Sequence, residues 1–123
     1  MYEIKIITSF SAAHRLENFH GKCEALHGHN WKVEVFLKGD RLNATGLLQD
    51  FGVVKARTRE LLEEIDHKYL NELPAFSQLN PSSENLAFFL FQRLTAVLNR
   101  DGAKVSRVNV WESDTSCASY FEG

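Results

Sequence analysis

Residues 27–38 read HGHNWKVEVFLK and carry the strongest periodic signal in the chain. From His27 to Leu37, every second residue is a histidine or an apolar residue, and the positions between them are mostly charged or polar. A β-strand turns successive side chains to opposite faces. We therefore expect His27 and His29 to share one strand face with Trp31, the face that packs on the core.

The segments around this strand predict an α+β fold. Alternation also predicts a strand over residues 2–10 and two more over 104–112 and 115–122. Residues 51–65 and 83–99 instead repeat apolar side chains every three or four positions, as amphipathic helices do. The order ββααββ predicts an antiparallel four-stranded sheet with two helices on one face.

Two features of this arrangement suggest function and assembly. Residues 11–26 show no clean period and contain Gly21, so they are predicted to form a long loop. Loops of that length in a compact domain are usually functional. Four strands also leave two open sheet edges, which association with further copies of the chain would cover.

Composition limits the broad class of protein. The 123 residues fit one domain, 1–123, and 44% of them are hydrophobic. A formal net charge of -2 favours neither nucleic acid nor an anionic membrane as a partner. The chain has two cysteines, and its N-terminus has no apolar signal segment. A reduced protein of the cytoplasm is the expectation.

The histidines are the first candidate site. His27 and His29 on one strand face lie close enough to share a metal ion, and His14, just after the first predicted strand, can add a third imidazole. Three protein ligands with a free fourth position are typical of catalytic zinc. The plainer interpretation, scattered histidines in a polar loop, stays open for this short motif alone.

Further residues carry possible acid–base chemistry. Cys23 can be a buried apolar side chain, a reactive thiolate or a fourth zinc ligand. Asp66 and His67 follow the first helix and can form a carboxylate–imidazole pair for proton transfer, or simply a charged helix end. Glu112 ends an apolar strand and can either reach water or accept adjacent N–H donors of a flat ligand.

Six segments together resemble the 6-pyruvoyl-tetrahydropterin synthase family, and the resemblance spans nearly the whole chain. Each segment alone is weakly specific, but their order and intervals agree with the family. The segments are FSAAHRL (10–16), CEALHGHNW (23–31), LLQDF (47–51), IDHKYLN (65–71), NPSSENLA (80–87) and WESDTSCASY (111–120).

The resemblance implies the fold, the assembly and the metal. It implies the tunnelling fold, in which subunits join their sheets into a barrel with the helices outside, as a homohexamer of two stacked trimers. It also implies that Zn²⁺ is the cofactor and that His14, His27 and His29 are its ligands.

The resemblance likewise assigns catalytic and substrate-binding roles. Cys23, Asp66 and His67 would transfer protons, and Glu112 would anchor the pterin ring. In this family the site lies between subunits, so Cys23 would act with Asp66 and His67 of a neighbour.

One interval points to a branch of the family. Cys23 stands four residues before His27, a shorter interval than in the tetrahydrobiopterin branch. It is similar to the branch that converts 7,8-dihydroneopterin triphosphate to 6-carboxy-tetrahydropterin, acetaldehyde and triphosphate in queuosine biosynthesis. The 6-pyruvoyl product, a zinc hydrolase and a non-catalytic zinc-binding protein remain alternatives. Arg15, Lys22 and Lys68 are cations near the motifs that can contact the triphosphate.

Overall fold

The computed structural model of the chain describes residues 1–18 and 24–122 and confirms the predicted α+β class. The strands and α-helices follow one another along the chain in this order: β1 (Tyr2–His14), β2 (His27–Gly39), α1 (Phe51–Leu62), β3 (Lys68–Tyr69), α2 (Ser83–Leu98), β4 (Lys104–Ser113) and β5 (Ser116–Phe121). Two short 3-10 helices, Leu70–Glu72 and Pro74–Phe76, lie between β3 and α2.

The sheet has five strands in the order β3-β1-β2-β4-β5, so the prediction of four strands and of the order ββααββ was wrong in this detail. The four long strands pair antiparallel as predicted, whereas β3 runs parallel to β1 and pairs with it at Ala12 and Ala13. A strand of two residues is too short to show any period in the sequence, which is why it was missed.

β1 also extends beyond its predicted end at residue 10. It continues to His14, which is the register partner of His27 at the start of β2. The prediction of a loop from residue 11 onward was therefore wrong for its first four residues. Ser11, Ala12 and Ala13 are all small, so the contrast between inward and outward positions is weak in this part of the sequence.

Both helices pack on the same side of the sheet and begin at side-chain caps. The Asp50 carboxylate accepts a hydrogen bond from the Gly52 backbone N–H, and the Ser82 hydroxyl accepts one from the Asn85 N–H. Such caps pair N–H groups that the first helical turn leaves free. The core between sheet and helices contains these fully buried apolar side chains: Trp31, Val33, Val35, Leu86, Leu90, Leu94, Val108 and Val110.

The other side of the sheet, which we call the open face, buries one carboxylate. Glu34 is 7% exposed and accepts hydrogen bonds from Lys5 Nζ, Asn109 Nδ2 and Trp111 Nε1. Burial by itself would raise the pKa of Glu34, but these three hydrogen bonds and the Lys5 charge outweigh it and lower the pKa. Among residues 1–18 and 24–122, none of the helices is long and apolar enough to cross a membrane.

Candidate metal centre

The β1–β2 hairpin brings the three predicted histidines together. His14 ends β1 opposite His27, and His29 lies two residues further along β2 on the same face. The ring centroids are 4.6 Å apart for His14 and His27, 4.7 Å for His27 and His29, and 5.3 Å for His14 and His29. The predicted alternation of β2 is therefore confirmed, and it places the imidazoles beside Trp31.

Backbone carbonyls select the tautomers of two rings. His14 Nδ1 lies 2.7 Å from the Pro81 carbonyl oxygen, and His27 Nδ1 lies 2.9 Å from that of Ala25. A carbonyl only accepts, so each Nδ1 carries the proton and each Nε2 presents a lone pair. This second hydrogen bond is the usual partner of a metal-binding histidine.

The Nε2 atoms of these two rings face each other. His14 Nε2 and His27 Nε2 are 3.1 Å apart, and in the neutral form of these tautomers neither carries a proton. Ligand nitrogens around a tetrahedral zinc ion lie about 3.3 Å apart, since each bond is about 2.0–2.1 Å long. The spacing therefore fits two ligands of one cation.

His29 supplies the third ring nitrogen of the cluster, Nε2. Its Nε2 is buried and makes no hydrogen bond of acceptable geometry among the described residues, although a carboxylate oxygen of Glu112 lies 3.0 Å away. Burial lowers the pKa of His29, and the neighbouring His27 and His14 lower it further, while the Glu112 charge opposes them. A neutral ring with a buried free nitrogen suits metal binding.

Glu112 belongs to the same cluster, which sequence reasoning did not foresee. Its Oε1 lies 3.0 Å from His29 Nε2 and 4.0 Å from His27 Nε2, and its Oε2 accepts a hydrogen bond of 3.4 Å from Ser83 Oγ. One ligand atom from each of His14, His27, His29 and Glu112 lies within 4.8 Å of the others. This group can hold a metal ion.

A bulge in β4 accompanies this placement of Glu112. The register with β5 shifts between Trp111 and Ser113, so Glu112 is an extra residue on its strand. Bulges often redirect a side chain next to a functional site. Glu112 shares the sheet face of Val108 and Val110, but it is partly exposed, whereas both valines are fully buried.

Asp66 and His67 form the predicted pair. Asp66 Oδ1 accepts a hydrogen bond of 2.9 Å from the Ser11 N–H and lies 3.0 Å from His67 Nδ1. The Ser11 N–H lowers the pKa of Asp66, and His67 lowers it further, although burial opposes both. The carboxylate thus stays ionised and can orient the ring.

This pair does not join the metal cluster within one chain. His67 has a positive φ of 58°, an uncommon conformation for a residue with a side chain, and its side chain is 80% exposed. A shallow cavity of about 550 Å³ has His67, Ser11, Asn30 and the metal-cluster residue His29 in its lining. Ser11 and Asn30 alternate along their strands with the metal-cluster residues, so their side chains lie on the open face.

The remaining predicted residues differ in what the structure shows of them. Cys23 and Lys22 lie outside the described residues. Arg15 follows β1 and has a guanidinium nitrogen 3.7 Å from Glu17 Oε1, while its buried Nε has no partner among the described residues. Lys68 is exposed on β3.

Known proteins match nearly the whole of this chain. The family model described as 6-pyruvoyl tetrahydropterin synthase matches residues 3–123. The 6-carboxy-5,6,7,8-tetrahydropterin synthase of Synechocystis sp. is 39% identical over 92% of this chain and 88% of its own. The human 6-pyruvoyl tetrahydrobiopterin synthase is 33% identical over 91% of this chain and 86% of its own.

A solved structure supports the fold. The 6-pyruvoyl tetrahydropterin synthase of Caenorhabditis elegans superimposes with a TM-score of 0.85 at 24% identity, covering 99% of this chain and 96% of that protein. The family match covers nearly the whole sequence and agrees with the resemblance of the six segments. The chain belongs to the 6-pyruvoyl tetrahydropterin synthase family.

Proposed function

We propose that the chain, as one domain 1–123, is a zinc-dependent 6-carboxy-5,6,7,8-tetrahydropterin synthase of queuosine biosynthesis in the cytoplasm. It would convert 7,8-dihydroneopterin triphosphate and one water to 6-carboxy-tetrahydropterin, acetaldehyde and triphosphate. The observation that carries the proposal is the cluster of three imidazoles whose Nε2 atoms converge, two of them on rings whose Nδ1 atoms face backbone carbonyls. The similarity to the Synechocystis enzyme favours the carboxy product.

Zinc suits this cluster because three neutral imidazoles leave room for a further oxygen ligand. When bound, it supplies a Lewis acid that makes the protons of the substrate's side-chain hydroxyls easier to remove. His14, His27 and His29 would hold the ion. The carbonyls of Pro81 and Ala25 keep two of these rings in the binding tautomer.

Proton transfer would depend on Cys23, Asp66 and His67. Asp66 holds the His67 ring through Nδ1, so Nε2 is the atom that would exchange a proton with the substrate. Because His67 is not part of the metal cluster among the described residues of its own chain and its side chain is 80% exposed, we assign it to the site of a neighbouring subunit. That assignment supports the proposed homohexamer, as does the edge of β1, which β3 pairs only at Ala12 and Ala13 among the described residues.

Glu112 is proposed to anchor the pterin ring beside the metal. Its carboxylate faces the cluster from one side and the α2 N-terminus from the other, through Ser83. Two carboxylate oxygens can accept two adjacent N–H donors of the ring. The same position also allows Glu112 to be a fourth metal ligand, and a single substitution separates these roles.

Glu112→Gln is expected to keep about one zinc per subunit and to weaken pterin binding roughly 10- to 100-fold, since hydrogen bonds to a charged group contribute about 1.5–3 kcal/mol. Zinc content by atomic absorption and pterin affinity by fluorescence would be measured on one preparation. Glu63→Gln, an exposed site at the end of α1, is the matched control. Loss of zinc with unchanged pterin affinity would make Glu112 a metal ligand instead.

Product analysis tests the proposed function itself. Zinc-loaded protein incubated with dihydroneopterin triphosphate is expected to release one acetaldehyde for each triphosphate, because the carboxy product keeps only one of the three side-chain carbons. A hydrazine reagent that traps aldehydes and mass spectrometry of the pterin would measure both. Protein freed of zinc by a chelator is the control.

The 6-pyruvoyl product is the second candidate, favoured by the similarity to the human enzyme. That product keeps all three side-chain carbons, so triphosphate would appear without acetaldehyde. The same incubation therefore decides between the two branches. Absence of any pterin product would reject both.

A further inference from the structure

The three residues after the metal ligand His14 lie outside the sheet, yet their backbones are fully paired. The Arg15 N–H donates to Asn71 Oδ1 at 2.9 Å, and Asn71 Nδ2 donates to the Arg15 carbonyl at 2.9 Å. Asn80 repeats the pattern two residues further, accepting from the Glu17 N–H and donating to its carbonyl, both at 2.8 Å. Each side-chain amide thus takes the place of a neighbouring strand.

Leu16, between them, is paired by a third segment. Its N–H donates to Glu24 Oε1 at 3.0 Å, and its carbonyl accepts from the Glu24 N–H at 2.9 Å. All six backbone groups of residues 15–17 are therefore satisfied by Asn71, Asn80 and Glu24. We call residues 15–17 the anchor segment.

These partners come from the segments that carry the proposed site. Asn80 precedes Pro81, whose carbonyl accepts the His14 Nδ1 proton, and the Asn80 carbonyl itself accepts from Asn85 in the first turn of α2. Asn71 follows the Asp66–His67 pair by a few residues, in the 3-10 helix Leu70–Glu72. Glu24 starts the described stretch that leads to His27.

We propose that Asn71, Asn80 and Glu24 are positioning residues, which fix the anchor segment and thereby the orientation of His14 at the metal. The proposal rests on the metal site proposed above. His14 has no further residue of β1 after it, so its position depends on what holds the next residues. The hydrogen bonds to the anchor segment fix those residues without adding a strand to the sheet.

An Asn side chain has both a donor and an acceptor, and this proposal needs both. Asn→Asp keeps the acceptor for the backbone N–H but places a charged oxygen against the backbone carbonyl. The substitution is nearly equal in size, so it tests the pairing rather than the packing. Glu24→Gln keeps an acceptor for the Leu16 N–H, whereas Glu24→Ala removes it.

The test measures zinc affinity by competition with a chromogenic chelator, at a temperature where every variant is folded. Asn71→Asp, Asn80→Asp and Glu24→Ala are each expected to weaken zinc binding about tenfold or more, the usual loss when a support of a metal ligand is removed. Glu24→Gln should recover most of the affinity. In the zinc-free protein, NMR should show a slowly exchanging Nδ1 proton on His14, and the two Asn→Asp variants should lose it.

Two controls separate positioning from general stability. Asn43→Asp alters an Asn whose side chain only accepts hydrogen bonds among the described residues, within a remote turn. Val105→Ala removes core volume at the far end of the sheet. Both should bind zinc within twofold of the unaltered protein, even where Val105→Ala melts at a lower temperature.

Zinc affinity and a His14 Nδ1 signal unchanged in the Asn→Asp variants would overturn the proposal. None of these measurements needs turnover. If the unaltered protein lacked pterin activity, the proposed function would fail while the anchor segment was still tested. If it bound no zinc, the His14 signal alone would decide.

Discussion

Replacing Cys23 with alanine is expected to slow turnover roughly 100- to 10,000-fold, the usual loss when a positioned acid–base group is removed. If Cys23 is a proton-transfer group and not a ligand, the variant keeps its zinc and its pterin affinity. Because the lost interaction belongs to the chemical step, kcat falls while the substrate dissociation constant changes little. Single-turnover rates, zinc content and pterin binding on one preparation check all three expectations.

Cys23→Ser serves as the matched variant. A hydroxyl is far less ionised than a thiol near neutral pH, so serine should restore little of the rate. A zinc hydrolase would lose little activity in either variant, since activated water would suffice. Turnover of Cys23→Ala close to that of the unaltered protein would remove Cys23 from the mechanism.

Mixing two inactive variants is expected to restore activity. If Cys23 of one subunit acts with His67 of its neighbour, oligomers assembled from Cys23→Ala and His67→Asn chains contain some sites in which both groups are intact. Random assembly of equal amounts gives about one quarter of such sites, so activity should rise to about one quarter of the unaltered value. Asparagine is chosen at position 67 because it tolerates the positive φ found there.

The experiment requires the two chains to be expressed together with different affinity tags, so that mixed oligomers are isolated by successive purification. Each variant carrying both tags is treated identically as the control and should stay inactive. The exposed His67 ring, which is not part of the metal cluster described in its own chain, is the structural reason for this expectation. Mixed oligomers no more active than either parent would place both groups in the same chain.

The sequence could predict that His27 and His29 share a strand face because a strand has a period of two. The alternation through His27, His29 and Trp31 was enough to place two imidazoles on the buried side, and the structure confirms it. The helix caps at Asp50 and Ser82 likewise depend on contacts within three residues. Signals of this kind need only a few neighbouring residues.

Other features of the site depend on contacts between distant residues, which one sequence does not specify. The Pro81 carbonyl that sets the His14 tautomer lies 67 positions away along the chain. The approach of Glu112 to His29 requires the register between β2 and β4 that pairs Lys32 with Trp111. The pairing of β3 with β1 was hidden for the same reason.

The pairing of His14 with His27 has a consequence for how metal binding and folding are linked. All three imidazoles lie in the β1–β2 hairpin, and a metal ion would join the two strands where the connecting loop begins. Because these ligands are close together in the sequence, an unfolded chain can also bring them to one ion, at a small cost in loop-closure entropy. Metal bound to the unfolded chain subtracts from the stabilisation that binding gives the native state. Removal of the metal is therefore expected to abolish activity while α2 stays packed on β4 and β5.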